Sequence, residues 1–577
     1  MTLLVFIAVC GLGAVIGLAA RPSGALVRLA GLACLAVAFV AALLIGPATR
    51  LAVGDVALGG SEYSGLFLAC VAGSALLLGV VALASGWADE FVPAALAALA
   101  GIAIALTATD PGVALLSGAA AATAGALVVA GYGGSAGSTQ RSPEGDGRLA
   151  EIRTIGLVAA GLGLAAIAIL RPSWTGLSDG AVFGLAFLGL GGVLAVRGGA
   201  VPFHVPAARL HRTAVPMSPA LLLVWVPASL GILAVGWSSA TSGLRSDWLT
   251  TAGLAVQVVA VATLVLGPLA ALVHDEMDEI AAYSIVADAG FVLLAMAART
   301  DAAAEPARLW LVVFVAAKTG LVAWTAALSR AFGTSNLNRL RGWLRRTPLL
   351  GIALAVVVVA TLGWPGSAVY EARSALIRLA LPGWLQFLFA ASIGLSLASY
   401  GRLLIVGLLS PADDVRAARS ELPRWSAASA GPMDAPVEIP AAAEPSTSVE
   451  PVAAVAALAS SPRSQRRLAA VWRLNRTLLV SLVVVLGAGL SVALAGGGMG
   501  ASNASRFGIP FDTAAHATPT RMPTPTPSPT ARPTAAPTFA PRPSSSASGS
   551  STSGESPSPS VSPAPGKTSA PARGNTD

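Results

Sequence analysis

The chain has 577 residues, 55% of them hydrophobic and only 11% charged, with a formal net charge of +8. A soluble domain carries about a quarter charged residues, so the composition excludes a water-solvated globule for most of the length. It points instead to a bilayer, where unpaired polar groups are costly. The positive charge is almost entirely arginine, with lysine only at Lys318 and Lys567. It flanks apolar runs rather than forming a basic stripe, which excludes nucleic acid as a partner and makes the charge a matter of membrane topology.

A spanning helix needs about 20 mostly apolar residues. In chain order, spans are expected at 2–20, 25–46, 62–85, 91–107, 112–131, 151–170, 179–203, 216–237, 250–273, 279–297, 307–330, 348–381, 383–409 and 477–497. No basic residue precedes the first apolar run, so it reads as a retained helix rather than a signal peptide. The seventh span runs into Pro202-Phe203-His204. The twelfth is too long for one straight crossing and breaks at Trp364-Pro365-Gly366. Paired interruptions of this kind mark ion sites in transporter folds. The expected fold class is therefore an all-α membrane protein of about 14 transmembrane helices.

The stretch 410–476 is rich in Ala, Pro, Ser and Glu and reads as a flexible cytoplasmic linker. Residues 498–577 are dominated by Pro, Ser, Thr and Ala, cannot bury a core, and read as a disordered tail. The domain plan is thus 1–90 (three N-terminal helices), 91–409 (core), 410–476 (linker), 477–497 (last helix) and 498–577 (tail). Placing the N-terminus outside puts Arg21, Arg141, Arg148, Arg153, Arg209, Arg212, Arg339, Arg341, Arg345 and Arg346 in cytoplasmic loops, together with the arginines of 410–476. The positive-inside rule favours this orientation, with both termini extracytoplasmic in a bacterial plasma membrane. Cys10, Cys34 and Cys70 lie in apolar runs without metal-ligand spacing, and read as small buried hydrophobes. No phosphate loop, nucleophile–base spacing, or nucleotide, flavin, iron–sulfur or quinone motif is found. No cofactor or metal is expected, and any redox chemistry belongs to partner subunits.

Three groups of residues carry a family resemblance. The run His274-Asp275-Glu276-Met277-Asp278-Glu279-Ile280-Ala281-Ala282-Tyr283-Ser284-Ile285, with Gly290 beyond it, resembles Q-x-D-x-K-R-x-x-A-Y-S-S-I-x-x-x-G-Y, with the basic pair replaced by Asp278 and Glu279. Ala200-Val201-Pro202-Phe203-His204 resembles A-V-P-F-H. Gly363-Trp364-Pro365-Gly366, followed by Ser399-Tyr400-Gly401-Arg402, resembles G-x-P-G/P and Y-Y-x-R. These motifs are similar to those of the antiporter-like membrane subunits of complex I (L, M and N), Mrp antiporters and membrane-bound hydrogenases, subunit N above all.

The resemblance implies two inverted five-helix repeats, helices 4–8 and 9–13, with helices 7 and 12 broken. It implies proton translocation coupled to electron transport within a complex I-like NADH:quinone oxidoreductase, with other membrane subunits of a respiratory or antiporter complex and the lipid bilayer as partners. Alternatives are an Mrp-type cation/proton antiporter subunit and a non-pumping structural subunit; the chain is at most a non-redox subunit of such an enzyme. Proton-relay candidates are Lys318 and Asp288, placed on adjacent helices in one polar axis, with Arg197, Arg373, its neighbour Glu371, and His204. Arginine keeps its proton, so Arg197 and Arg373 can steer or pair but not cycle. For each candidate a structural role is the alternative. Two implied groups are missing: the helix-5 glutamate falls near Ala119–Ala122, and the helix-8 lysine at Pro227 or Ala228.

Overall fold

A computed structural model describes residues 1–19, 25–54, 56–85, 87–132, 144–170, 179–210, 217–244 and 246–409. The expected linker at 410–476, the span at 477–497, the tail from 498, and Arg21, Arg141 and Arg212 lie outside the described residues. The chain divides into units Met1–Thr518 and Pro519–Asp577, and every described residue belongs to the first.

The described chain is helical: α1 (Thr2–Ala19), α2 (Ala25–Leu43), α3 (Glu62–Ser85), α4 (Ala88–Thr107), α5 (Pro111–Tyr132), α6 (Glu144–Leu170), α7 (Asp179–Arg197), α8 (His204–Arg209), α9 (Val226–Ala240), α10 (Asp247–Val273), α11 (Met277–Ala297), α12 (Ala304–Phe332), α13 (Trp343–Arg346), α14 (Pro348–Leu362), α15 (Ala368–Ala380) and α16 (Leu388–Leu408). Among the described residues, ten helices are long and apolar enough to cross a membrane. With the shorter apolar stretches Pro111–Gly125, Ile152–Ala166 and Pro348–Leu362, they account for every expected span from the first to the thirteenth. A two-stranded hairpin, β1 (Arg50–Val53) and β2 (Val56–Gly59), was not expected. Strands of four residues are too short to show alternation between two apolar runs.

Burial decides what sits at the centre. Every residue from Ala220 to Ser238 is buried and nearly all of α11 is, whereas most of α1 and α2 is not. A helix apolar all round belongs inside, and one that leaves leucines and valines outward in a membrane chain faces lipid. Small residues let the central helices approach. A Cβ on Gly267 of α10 would stand 2.8 Å from the Cα of Ala287 on α11, so only glycine permits this contact.

Prolines set the three irregularities. Pro202 follows the end of α7 at Arg197, its peptide bond to Val201 is cis, and the chain restarts as α8 at His204. Ahead of α9, Ala220–Trp225 form a π-helix, closed by Val226 N–H donating to the Leu221 carbonyl. Pro227 lacks an N–H and its ring crowds the preceding turn, which favours this widening. The twelfth span is α14 and α15, separated by Gly363 (φ 73°), Pro365 and Gly366, with Ser367 capping α15 by accepting from Tyr370 N–H.

Candidate functional site

Ser284 and Asp288 are one turn apart on α11 and so share a face. Opposite them, Lys318 of α12 is fully buried and Asp288 is 3% exposed. Lys318 Nζ lies 2.5 Å from Asp288 Oδ2 and donates to Ser284 Oγ at 2.8 Å and Tyr400 Oη at 3.2 Å. The two hydroxyls are themselves 2.6 Å apart. An ammonium has three N–H donors, and these three partners use all of them. The buried charge is thereby paired and solvated by protein, the condition under which an ion survives in the interior.

Arg373 of α15 completes the site, and the reason begins with Pro365. In an unbroken helix the Thr361 carbonyl would accept from the N–H four residues on, but that residue is proline. The freed carbonyl instead takes Arg373 Nη1 at 2.6 Å. Arg373 Nη2 reaches Asp288 Oδ1 at 3.4 Å. The guanidinium lies over the rings of Phe291 (4.3 Å) and Trp310 (5.1 Å), whose π-faces stabilise a desolvated cation. One carboxylate thus serves two buried cations. Lys318, Asp288 and the two hydroxyls can hold or exchange a proton among themselves, while Arg373 remains charged.

The other candidates lie elsewhere. Arg197, at the end of α7, is buried and donates to the Ala122 carbonyl of α5. From Pro111 to Tyr132, α5 carries no acid, so a backbone carbonyl meets the guanidinium in the region where the resemblance implies a glutamate. Pro227 and Ala228 are buried in α9, and Trp225 beside them donates to Thr319 Oγ1 at 2.8 Å. His204 sits with its ring 6.2 Å from Tyr283, which is also 4.7 Å from the His274 ring. His274 Nε2 is 3.7 Å from Glu279 Oε2. Glu371 is exposed on α15, two residues before the buried Arg373, and residues two apart on a helix face different directions.

Sequence reasoning brought Lys318 and Asp288 to adjacent helices but did not foresee Arg373 joining them. It also passed over Ser284 and Tyr400 as ligands of the lysine. Both lay inside motifs read only as marks of resemblance, and their pairing across 116 residues leaves no local trace. Among the described residues no group of three metal-ligating side chains is found.

Residues 166–398 match the family described as "NADH:quinone oxidoreductase/Mrp antiporter, TM". That interval holds Arg197, Asp288, Lys318 and Arg373. The NADH-quinone oxidoreductase subunit N of Rhodococcus opacus is 29% identical over 209 residues, covering 35% of this chain and 37% of that protein. The match therefore spans well under half the length of that relative. Among solved structures, a chain of respiratory complex I from Thermus thermophilus with bound aureothin superposes with a TM-score of 0.56 at 22% identity, covering 71% of this chain and 91% of its own. A chain of the Mrp complex from Dietzia sp. DQ12-45-1b does so with a TM-score of 0.57 at 18% identity, covering 71% and 47%. At these identities the likeness is one of fold. Helix breaks at the seventh and twelfth spans and the signature on α11 all fall within the match over 166–398, and this part of the chain is similar to the antiporter-like membrane subunits of NADH:quinone oxidoreductase and Mrp complexes.

Proposed function

We propose that the protein is a membrane subunit of a complex I-like NADH:quinone oxidoreductase or a related complex, and that it contributes to proton translocation coupled to electron transport. The observation that carries this reading is the buried Lys318–Asp288–Arg373 cluster, joined across α11, α12 and α15. Intramembrane ionisable groups are costly, and those that persist mark ion pathways. In this reading Lys318 and Asp288 exchange the proton, Arg373 is a fixed cation that biases them, and Tyr400 and Ser284 hold the lysine. The inverted repeats of helices 4–8 and 9–13, the extracytoplasmic termini and the bacterial plasma membrane belong to the same proposal.

A second reading is favoured by a specific observation. Arg197 donates to a backbone carbonyl of α5, a helix without an acid, so the helix-5 glutamate whose field would tune a relay is missing from the sequence. The protein would then be a structural subunit that keeps the fold and has lost pumping. A mild-detergent pull-down of the tagged chain, with mass spectrometry, separates the hosts. Redox subunits support the first reading, and small Mrp-type membrane subunits support a cation/proton antiporter. Flux decides the chemistry: Lys318→Ala in the isolated complex is expected to abolish this subunit's share of proton transport. Unchanged flux at unchanged electron transfer leaves the structural reading.

A further inference from the structure

Between α12 and α14 the chain carries Arg339, Arg341, Arg345 and Arg346, all exposed. No acid occurs from residue 306 to residue 370. Among the described residues no carboxylate forms an ion pair with any of the four arginines. In the turn packed beside their loop, Asp275 is taken by Arg402 and Glu279 faces His274. The other two acids of that turn, Glu276 and Asp278, are not free either.

The loop that bears the arginines is anchored to the end of α16. Gly342 N–H donates to the Val406 carbonyl at 3.1 Å, and Trp343 Nε1 to the Leu403 carbonyl at 3.1 Å. Trp343 is fully buried and meets Trp324 edge-on at 5.4 Å. A Cβ on Gly407 would stand 2.7 Å from its ring, so the loop sits as close to α16 as a glycine allows. Below the arginines lies apolar surface. Helix α14 begins at Pro348, two residues after Arg346, and exposes Leu349, Ile352 and Val359. These share one helix face. On α16, which packs against α14, Leu397, Ile405 and Leu408 are exposed. A charged patch and two apolar stripes therefore meet at one end of the same pair of helices.

We infer that this surface is a binding site for an anionic glycerophospholipid. Its phosphate rests on the arginine patch and its acyl chains lie along the stripes of α14 and α16. A guanidinium matches a phosphate with two parallel N–H donors, which an ammonium does not, and all four cations are arginine. Basic clusters at the end of a membrane helix attract anionic headgroups. The positive-inside rule needs cations only somewhere in the loop. It does not require them to be anchored above an apolar groove. The inference needs only that the chain spans a membrane, and is independent of proton transport.

The full chain, purified in mild detergent, is titrated with phosphatidylglycerol or with phosphatidylcholine of the same acyl chains, and bound lipid is counted by native mass spectrometry. Phosphatidylglycerol is expected to bind the tighter. One basic side chain near an anionic headgroup is worth about fivefold in affinity. Arg345→Gln with Arg346→Gln is thus expected to weaken phosphatidylglycerol binding about 25-fold and to leave phosphatidylcholine unchanged. Arg345→Lys with Arg346→Lys should lose only part of that. Arg50→Gln with Arg153→Gln removes the same charge from exposed positions elsewhere and should change neither lipid. Exposed substitutions of this kind leave the fold intact. The site is overturned if the two lipids bind alike, or if the distant pair of substitutions weakens binding as much as the local one. It is also overturned if millimolar inorganic phosphate displaces the lipid, which is the behaviour of a simple anion site.

Discussion

Among the described residues Asp288 is the one carboxylate paired with both Lys318 and Arg373, and that asymmetry governs what substitution will do. Removing one partner of a buried pair strands the rest, at about 3–5 kcal/mol. Asp288→Asn, which leaves two buried cations, is expected to lose stability in that range by thermal unfolding in detergent. Adding Lys318→Met to it should recover part of the loss, because the double variant removes the stranded ammonium as well. If the double variant is less stable than Asp288→Asn alone, the pairing described here is not the main interaction. Tyr400→Phe and Ser284→Ala each remove one hydrogen bond to the ammonium, worth about 1–3 kcal/mol when the partner is charged. Since the two hydroxyls also bond each other, their losses should not add, and a double-mutant cycle measures the difference.

At the scale of elements, proline decides where charge can go. Pro365 frees the Thr361 carbonyl that Arg373 occupies, so the helix break and the cation are one feature rather than two. Gly363 makes the break geometrically possible. Its φ is 73°, and a Cβ there would stand 2.7 Å from the Tyr370 amide nitrogen. Gly363→Ala is therefore expected to cost more than about 1 kcal/mol, and Arg373 should lose its carbonyl along with it. The contact between α10 and α11 is of the same kind. Gly267→Val would drive a branched side chain into the backbone of Ala287 and should destabilise by about 1–3 kcal/mol, read as a lower unfolding temperature of the purified protein. An unfolding temperature equal to that of the parent chain would show that the two helices separate easily.

At the scale of the whole molecule, loop contacts gather positive charge on one face. The loop after α10 packs on the loop after α12: Met277 N–H donates to the Ser335 carbonyl and Leu337 N–H to that of Asp275. Arg402 of α16 clamps the same turn through the carbonyls of Leu272 and His274. These contacts put the loops on one face, to which Arg339, Arg341, Arg345 and Arg346 contribute positive charge. Alkaline phosphatase fused after Asn338 is expected to be inactive, and the same enzyme fused after Gly243 to be active, if that face is cytoplasmic. The reverse pattern would invert the topology without disturbing the fold.

Much of this was legible in the residues themselves. The spans are long apolar runs, and apolar length is a local property. The breaks were visible because proline and glycine act on their own turn of helix. Lys318, Asp288 and Arg373 stood out because charge is rare in such a chain. What one-dimensional order could not contain is which rare charges meet. The Lys318–Asp288 pair, the hydroxyls of Ser284 and Tyr400, and the aromatic faces of Phe291 and Trp310 come together only when α11, α12, α15 and α16 pack. Arg197 and Glu371, as conspicuous in the sequence, point elsewhere. Burial makes a charge expensive wherever it falls along the chain, but only packing in three dimensions supplies its partner.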